Sequence, residues 1–455
     1  MRTVIENCAI ATVAGAEYAS GHIVIDGARI SAVGAGPAPA TDGAERVDGT
    51  GCLATPGLVN AHHHLYQWAT QGTVPQATLF EWLTSLYPVW AGLDAEIVRD
   101  AAGAALAWLA LSGCTTTTDH HYVFPSGQGD LLEAEIDAAR EVGLRFHPGR
   151  GSMDRGASQG GLPPDEIVEE TEAALLATEE AIGRFHDPSP GSMLRIAVAP
   201  CSPFTVTETL MTECAALARR TGVRLHTHLA ETVEEEEHCR EQFGCTPVEY
   251  MERLGWLGGD VWFAHCVHLR DADIKRLAET GTGTAHCPSS NARLGAGIAR
   301  VADLVGAGAP VGLGVDGAAS AELTSLGGEL RQALLFQRAV GGPRVLTARQ
   351  ALELGTLGGA RCLGRADEIG TLETGKLADI ALWRMDGFRS AVADPVTALV
   401  FGHTPPLARL HVNGRTVVAD GELRTADQEA LARAGARAGR RLLRDHSGEP
   451  GEGSR

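Results

Sequence analysis

Between residues 57 and 317 a short apolar run ends in polar residues eight times, and each run is followed by roughly 15 or more residues with helical spacing of apolar side chains. The runs are GLVNAHHH (57–64), CTTTTDHH (114–121), LRFHPGR (144–150), LRIAVAP (194–200), VRLHTHLAE (223–231), VWFAHC (261–266), GTAHCP (283–288) and VGLGVDG (311–317). Strands alternating with helices build a parallel sheet. Eight such units predict an α/β chain whose body is a TIM-like (β/α)8 barrel, a fold of roughly 250 residues and more with insertions. Barrel enzymes keep their chemistry at the C-terminal ends of the strands, which is where the polar residues of these runs fall.

The flanks read differently. Residues 1–55 contain GHIVIDGARISAVG, two apolar stretches joined by Asp26-Gly27, a strong hairpin signal. LADIALWRMDGF and LHVNGRTVVADGEL repeat the pattern near the other end. The expectation is one small discontinuous β-sandwich domain from residues 1–55 and 366–425, around a barrel over 56–365. Residues 426–455 read as a closing helix and a Gly/Ser/Glu tail without chemistry.

Charge narrows the partners. Against 57 Asp and Glu stand 38 Lys and Arg, a formal charge of -19 with no dense basic stretch to offset it, so nucleic acid and anionic membrane are disfavoured. No stretch reaches the ~18 to 20 apolar residues of a membrane helix. The start MRTVIENCAIATVAG alternates and carries an early Glu, unlike a signal peptide. Ten cysteines without a Cys-x-x-Cys pair are too dilute for a disulfide scaffold. A soluble, reduced, cytoplasmic protein is expected.

On a strand, residues two apart face the same way, so His62 and His64 converge while His63 points to the other side. The fifth run supplies His226, His228 and Glu231, the sixth His265, and the eighth ends in Asp316. All should meet at one mouth. Two or three imidazoles plus a carboxylate, with a position left open for water, suit a divalent ion, Zn2+ first and Fe2+ next. An open site implies catalysis.

Pro56-Gly57-Leu58-Val59-Asn60-Ala61-His62-His63-His64, His228-Leu229-Ala230-Glu231, Phe263-Ala264-His265-Cys266 and Gly314-Val315-Asp316-Gly317 resemble the signature segments of the amidohydrolase superfamily, and more closely its aminohydrolase branch. The resemblance implies that His62, His64, His228 and Asp316 bind the metal while Glu231 and His265 act on the substrate. Relatives with two metals carry a Lys on the fourth strand, which LRIAVAP lacks, so one ion is implied. Asp316 would also take a proton from water, Glu231 would protonate a ring nitrogen, and His265 would donate to or orient the tetrahedral centre. Members of this branch also form homo-oligomers.

The segments NAHHHLYQWAT, TLFEWLTSLYPVW and HCPSSNARLGAGIA resemble deaminases of free oxidised purine bases, implying hydrolysis of 8-oxoguanine to urate and ammonia. Gln67 and Arg150 are candidates for reading the carbonyl edges of such a base. Cys201 stands where nucleoside deaminases of the branch tend to have His, which favours a free base. Guanine, isoxanthopterin or cytosine deamination and displacement on an s-triazine share the same machinery and stay open. After Asp316, Gly317-Ala318-Ala319-Ser320 leads into Ala321-Glu322 where relatives more often show Asn-Asp. A barrel serving only as a scaffold would have lost ligands that are kept here. The His-x-Glu and Pro-Cys-x-x-Cys arrangement of nucleic-acid deaminases is absent. Finally, Tyr66, Trp68, Phe80, Trp82, Tyr87 and Trp90 crowd one excursion of a chain only 5% aromatic. That excursion suits either a lid over a flat substrate or an aromatic helix packed into a core or subunit interface.

Overall fold

In the computed structural model, which describes residues 2–322 and 325–447, eight strands close into a barrel in chain order. They are β6 (Leu58–Asn60), β7 (Cys114–His121), β8 (Arg145–Ser152), β9 (Ala197–Pro200), β10 (Arg224–Leu229), β11 (Val261–His265), β12 (Gly283–His286) and β13 (Val311–Leu313). Each coincides with one of the eight apolar runs, and all neighbouring pairs are parallel. Asn60 seals the closure. Its amide nitrogen donates to Thr117 Oγ1 at 3.0 Å and its oxygen accepts from Val315 N–H at 3.0 Å, so one buried side chain ties β6 to the strands on both sides. Trp262 helps to fill the barrel, stacked on His226 with ring centroids 4.4 Å apart and its indole N–H donating to the Ala61 carbonyl.

The two flanks meet in a nine-stranded sheet. The early part gives β1 (Arg2–Ala11), β2 (Glu17–Asp26), β3 (Arg29–Ala35), β4 (Glu45–Asp48) and β5 (Cys52–Pro56), and the late part β14 (Ile380–Arg384), β15 (Leu407–Val412), β16 (Arg415–Ala419) and β17 (Glu422–Leu423). Strand β5 is the hinge of this arrangement, parallel to β1 on one side and antiparallel to β14 on the other. The Asn413-Gly414 and Asp420-Gly421 turns both hold two successive residues at positive φ, the geometry that closes a two-residue hairpin. Ile5, Ile10, Ile23, Ile25, Ile380 and Leu382 pack together in a core separate from that of the barrel, the expected discontinuous β-sandwich.

Helix α1 (Leu79–Trp90) carries the aromatic excursion and begins at a capping box between Thr78 and Glu81. It is followed by α2 (Ala95–Leu111), against which the helix Gln428–Ser447 packs. The tail expected beyond that helix lies outside the described residues. Helix α3 (Leu131–Val142) covers β7 and β8 from outside. Among the described residues all ten cysteines are free, and no helix is long and apolar enough to cross a membrane.

Candidate metal centre and active site

Strand alternation decides which polar residues enter the barrel. His62 and His64 follow β6 and turn inward, with His226 and His228 of β10 facing them. His63 turns away, its Nδ1 accepting from the His64 N–H. His265 and Asp316 end or follow their strands with φ of +71° and +60°, next to Ala230 at +51° and Cys266 at +50°. Positive φ on a residue other than glycine costs roughly 1–3 kcal/mol and is found where function demands it. Four such residues stand around one cavity mouth.

The hydrogen bonds of the imidazoles assign their protons. His64 Nδ1 lies 2.7 Å from the His120 carbonyl and His228 Nδ1 2.7 Å from the Cys201 carbonyl. A carbonyl only accepts, so each Nδ1 carries the hydrogen and each Nε2 is a bare lone pair. By the same logic His226 Nδ1 donates to the Trp262 carbonyl at 2.9 Å, so its Nε2 accepts from His62 Nδ1 at 2.8 Å. Among the described residues none then donates to the His62 Nε2 lone pair. It sits 3.4 Å from Asp316 Oδ1, which is 3.3 Å from His64 Nε2, while His64 Nε2 and His228 Nε2 are 3.1 Å apart. Four acceptors converge with no proton between them, and that set fits a divalent cation.

Electrostatics agrees with the tautomers. Burial holds His62 and His228 well below the usual histidine range, in the neutral form that ligates. Burial opposes the ionisation of Asp316. Ser290 at 2.5 Å and Ser320 at 3.1 Å donate to the other oxygen, Oδ2.

Glu231 and His265 face each other beside this cluster, Oε2 to Nε2 at 3.5 Å. Burial, and behind it the Asp316 charge, pushes the Glu231 carboxyl well above the usual range. The His265 ring is aimed by Nδ1, 2.8 Å from Asn291 Oδ1. Both groups line a cavity together with His64, His228 and Asp316. Leu79, Trp82, Leu83 and Tyr87 of α1, with Phe204 and Leu294, supply its apolar lining. The aromatic excursion is thus both cavity wall and core, because Tyr66, Tyr87 and Trp90 are fully buried and the Trp82 N–H donates to the Ala319 carbonyl at 3.2 Å.

Of the three candidate substrate readers, Gln67 and Cys201 line the cavity and Arg150 does not. Burial pushes the Cys201 thiol up to about 12, so it stays a neutral thiol. Gln67 is buried, and among the described residues none donates to its Oε1. Arg150 instead forks onto Glu169 with two contacts of 2.7 Å and lies 4.0 Å over the Phe124 ring. Alternation explains the difference: His147 and Gly149 of β8 turn into the barrel, so Arg150 turns out toward its helices.

Several partners escaped the sequence reading. His120 enters the barrel stacked on His228, centroids 4.6 Å apart, and its Nε2 donates to the Ala199 carbonyl, which leaves Nδ1 bare near the other imidazoles. Its alternation with His121 in CTTTTDHH carried that signal. Ser290 and Asn291, which reach Asp316 and His265, gave none.

A family model described as the amidohydrolase family matches residues 53–422. An 8-oxoguanine deaminase of Pseudomonas aeruginosa is 45% identical over 434 residues, covering 94% of this chain and 96% of that one. An isoxanthopterin deaminase from an unknown prokaryotic organism is 37% identical, covering 93% and 92%. Among solved structures, atrazine chlorohydrolase from Arthrobacter aurescens complexed with zinc superposes with a TM-score of 0.92 at 33% identity, over 96% of this chain and 100% of that one.

Proposed function

The chain belongs to the amidohydrolase family, and on that premise we propose that it is a metal-dependent hydrolytic deaminase of a free purine base, converting 8-oxoguanine and water to urate and ammonia. One observation carries the reading. The lone pairs of His62, His64 and His228 and the carboxylate of Asp316 lie close together, and an acid-base pair, Glu231 and His265, stands beside them in the same cavity.

These four residues would hold one divalent ion, zinc first and iron(II) next, which when bound supplies Lewis acidity and lowers the pKa of a water toward neutrality. Asp316 accepts the proton of the water that adds to the amine-bearing ring carbon. Glu231, whose burial favours the protonated form, delivers a proton to the neighbouring ring nitrogen. His265, its Nδ1 donating to Asn291 Oδ1, orients the tetrahedral centre through Nε2. Asp316 then passes its proton to the amine, which leaves as ammonia, while the hydroxyl of the tetrahedral centre returns a proton to Glu231 as the carbonyl forms. Gln67 reads an N–H of the base through its unpaired oxygen, and Cys201 offers a neutral thiol to its edge. The chain's charge suits a small heterocycle in the cytoplasm over any polyanion.

Steady-state assays on metal-analysed protein test the proposal, following ultraviolet absorbance and ammonia with 8-oxoguanine, guanine, isoxanthopterin, cytosine and a chlorotriazine. Turnover of 8-oxoguanine with kcat/KM of about 10^4 to 10^8 M^-1 s^-1, well above the others, supports it. Metal-loaded protein that leaves 8-oxoguanine untouched overturns the substrate, and chloride release would point to the triazine chemistry of the structural neighbour.

A further inference from the structure

Glu231 lines the cavity, and among the described residues its carboxyl meets no charged partner other than His265 at 3.5 Å, so its aim depends on the backbone that carries it. That backbone is an unusual turn. Ala230 is held at φ +51°, and its carbonyl accepts from both Val267 N–H and His268 N–H at 2.9 Å, while Cys266 N–H donates to the Leu229 carbonyl. The turn bearing Glu231 is thereby laced to the turn bearing His265. On its other side stands Glu235, fully buried in the helix Val233–Phe243.

Glu235 occupies the third helical position after Thr232, where a glutamate usually reaches back to the N–H of the capping residue. Here it reaches further. Oε1 accepts from Ala230 N–H at 2.8 Å and Oε2 from Glu231 N–H at 3.0 Å, one oxygen for each end of the same strained step. We propose that Glu235 is a positioning residue: its buried carboxyl clamps the Ala230–Glu231 step and so aims Glu231 at the substrate. This rests on the reading of Glu231 as the proton donor. A glutamine in its place has the same shape but offers one acceptor and one NH2 group, which would confront an N–H.

The test is a double-mutant cycle on the metal-loaded full chain, with whichever heterocycle the wild type turns over. Glu235→Gln should lower kcat roughly 10- to 100-fold, the cost of a small misplacement of a catalytic group, with KM within about threefold and metal content unchanged. In a Glu231→Gln background the same substitution should cost less than about twofold, because a residue that acts only through Glu231 has nothing left to position. Equal losses in both backgrounds, or an unchanged kcat in the single variant, would overturn the clamp. Hydrogen exchange on the wild-type protein gives a readout that needs neither a folded variant nor turnover. The Ala230 and Glu231 amides should exchange as slowly as those of β10, and fast exchange there would overturn the clamp. A wild type that deaminates no compound in the panel removes the substrate reading and leaves this exchange test standing.

Discussion

Gly317 and Gln67 claim the same space: a Cβ built on Gly317 would lie 1.7 Å from Gln67 Oε1 and 2.3 Å from its Cδ. The φ of Gly317 is an ordinary -75°, so what requires glycine is close approach. The amide proposed to read the substrate is therefore held against the residue that follows Asp316. Gly317→Ala should push Gln67 aside and raise KM by roughly tenfold, about 1.4 kcal/mol of lost binding. Steady-state kinetics measures this, and an unchanged KM would remove Gln67 from the substrate contacts.

The proton assignments predict a role for His226, whose Nε2 obliges His62 to present its own Nε2 to the cluster. Outer partners of ligating histidines typically contribute 10- to 100-fold in metal affinity. His226→Ala should weaken metal binding by that factor and, because it also empties a buried site against Trp262, lower the melting temperature of both chelator-stripped and loaded protein, the loaded protein losing more. Metal titration followed by calorimetry checks both.

Arg150 gives a contrasting expectation. Its ion pair with Glu169 is nearly closed to solvent and it lines no wall of the cavity. Arg150→Met should destabilise the fold by roughly 2 kcal/mol, less than the loss from a fully buried pair, while KM moves by less than about threefold. Denaturant unfolding alongside kinetics separates the two effects.

The pair of Glu135 and His121 should make stability depend on pH. His121 Nε2 donates to the Val123 carbonyl at 2.8 Å, so its Nδ1 is a lone pair and the proton shared with Glu135 Oε1, also at 2.8 Å, belongs to the glutamic acid. Burial pushes Glu135 from 4.5 up to about 8 and His121 from 6.5 down to about 4. Between 4.5 and 8 the folded chain binds a proton that the unfolded chain releases, so this stability is full at low pH and lost as pH rises through about 8. His121 has the opposite sign and loses stability only as pH falls from 6.5 toward 4. Glu135→Gln keeps a donor for Nδ1 and cannot ionise. Between pH 6 and 8 the wild type should lose on the order of 2 kcal/mol relative to this variant. Melting curves that run parallel across that range would contradict the assignment.

The fold was legible because each barrel strand announces itself twice, by an apolar run and by the polar residues at its mouth. His62, His64, His228 and Asp316 come together for that reason, with alternation supplying the sidedness. The same rule, carried to β7 and β8, separates His120 from His121 and turns Arg150 outward. What no local pattern contains is the set of contacts made across the chain. Asn291 reaches His265 from the helix Pro288–Arg293, Ser290 of that helix reaches Asp316, and Glu235 grips two backbone N–H groups. Each depends on where a loop settles after the barrel has closed.

Strand β5 pairs with β14 through Leu53↔Trp383 and Pro56↔Ile380, partners more than 320 residues apart in sequence. Ribosomes add about 5–20 residues per second, so β5 waits on the order of 15 to 60 s during synthesis before its partner exists. Over that interval its free edge is a template for any other extended chain. Hairpins such as β1–β2 and β2–β3 form early, but the sheet that joins both ends of the chain is completed last. Yield during expression should therefore depend on the rate of translation and on chaperones more steeply than the stability of the finished barrel suggests.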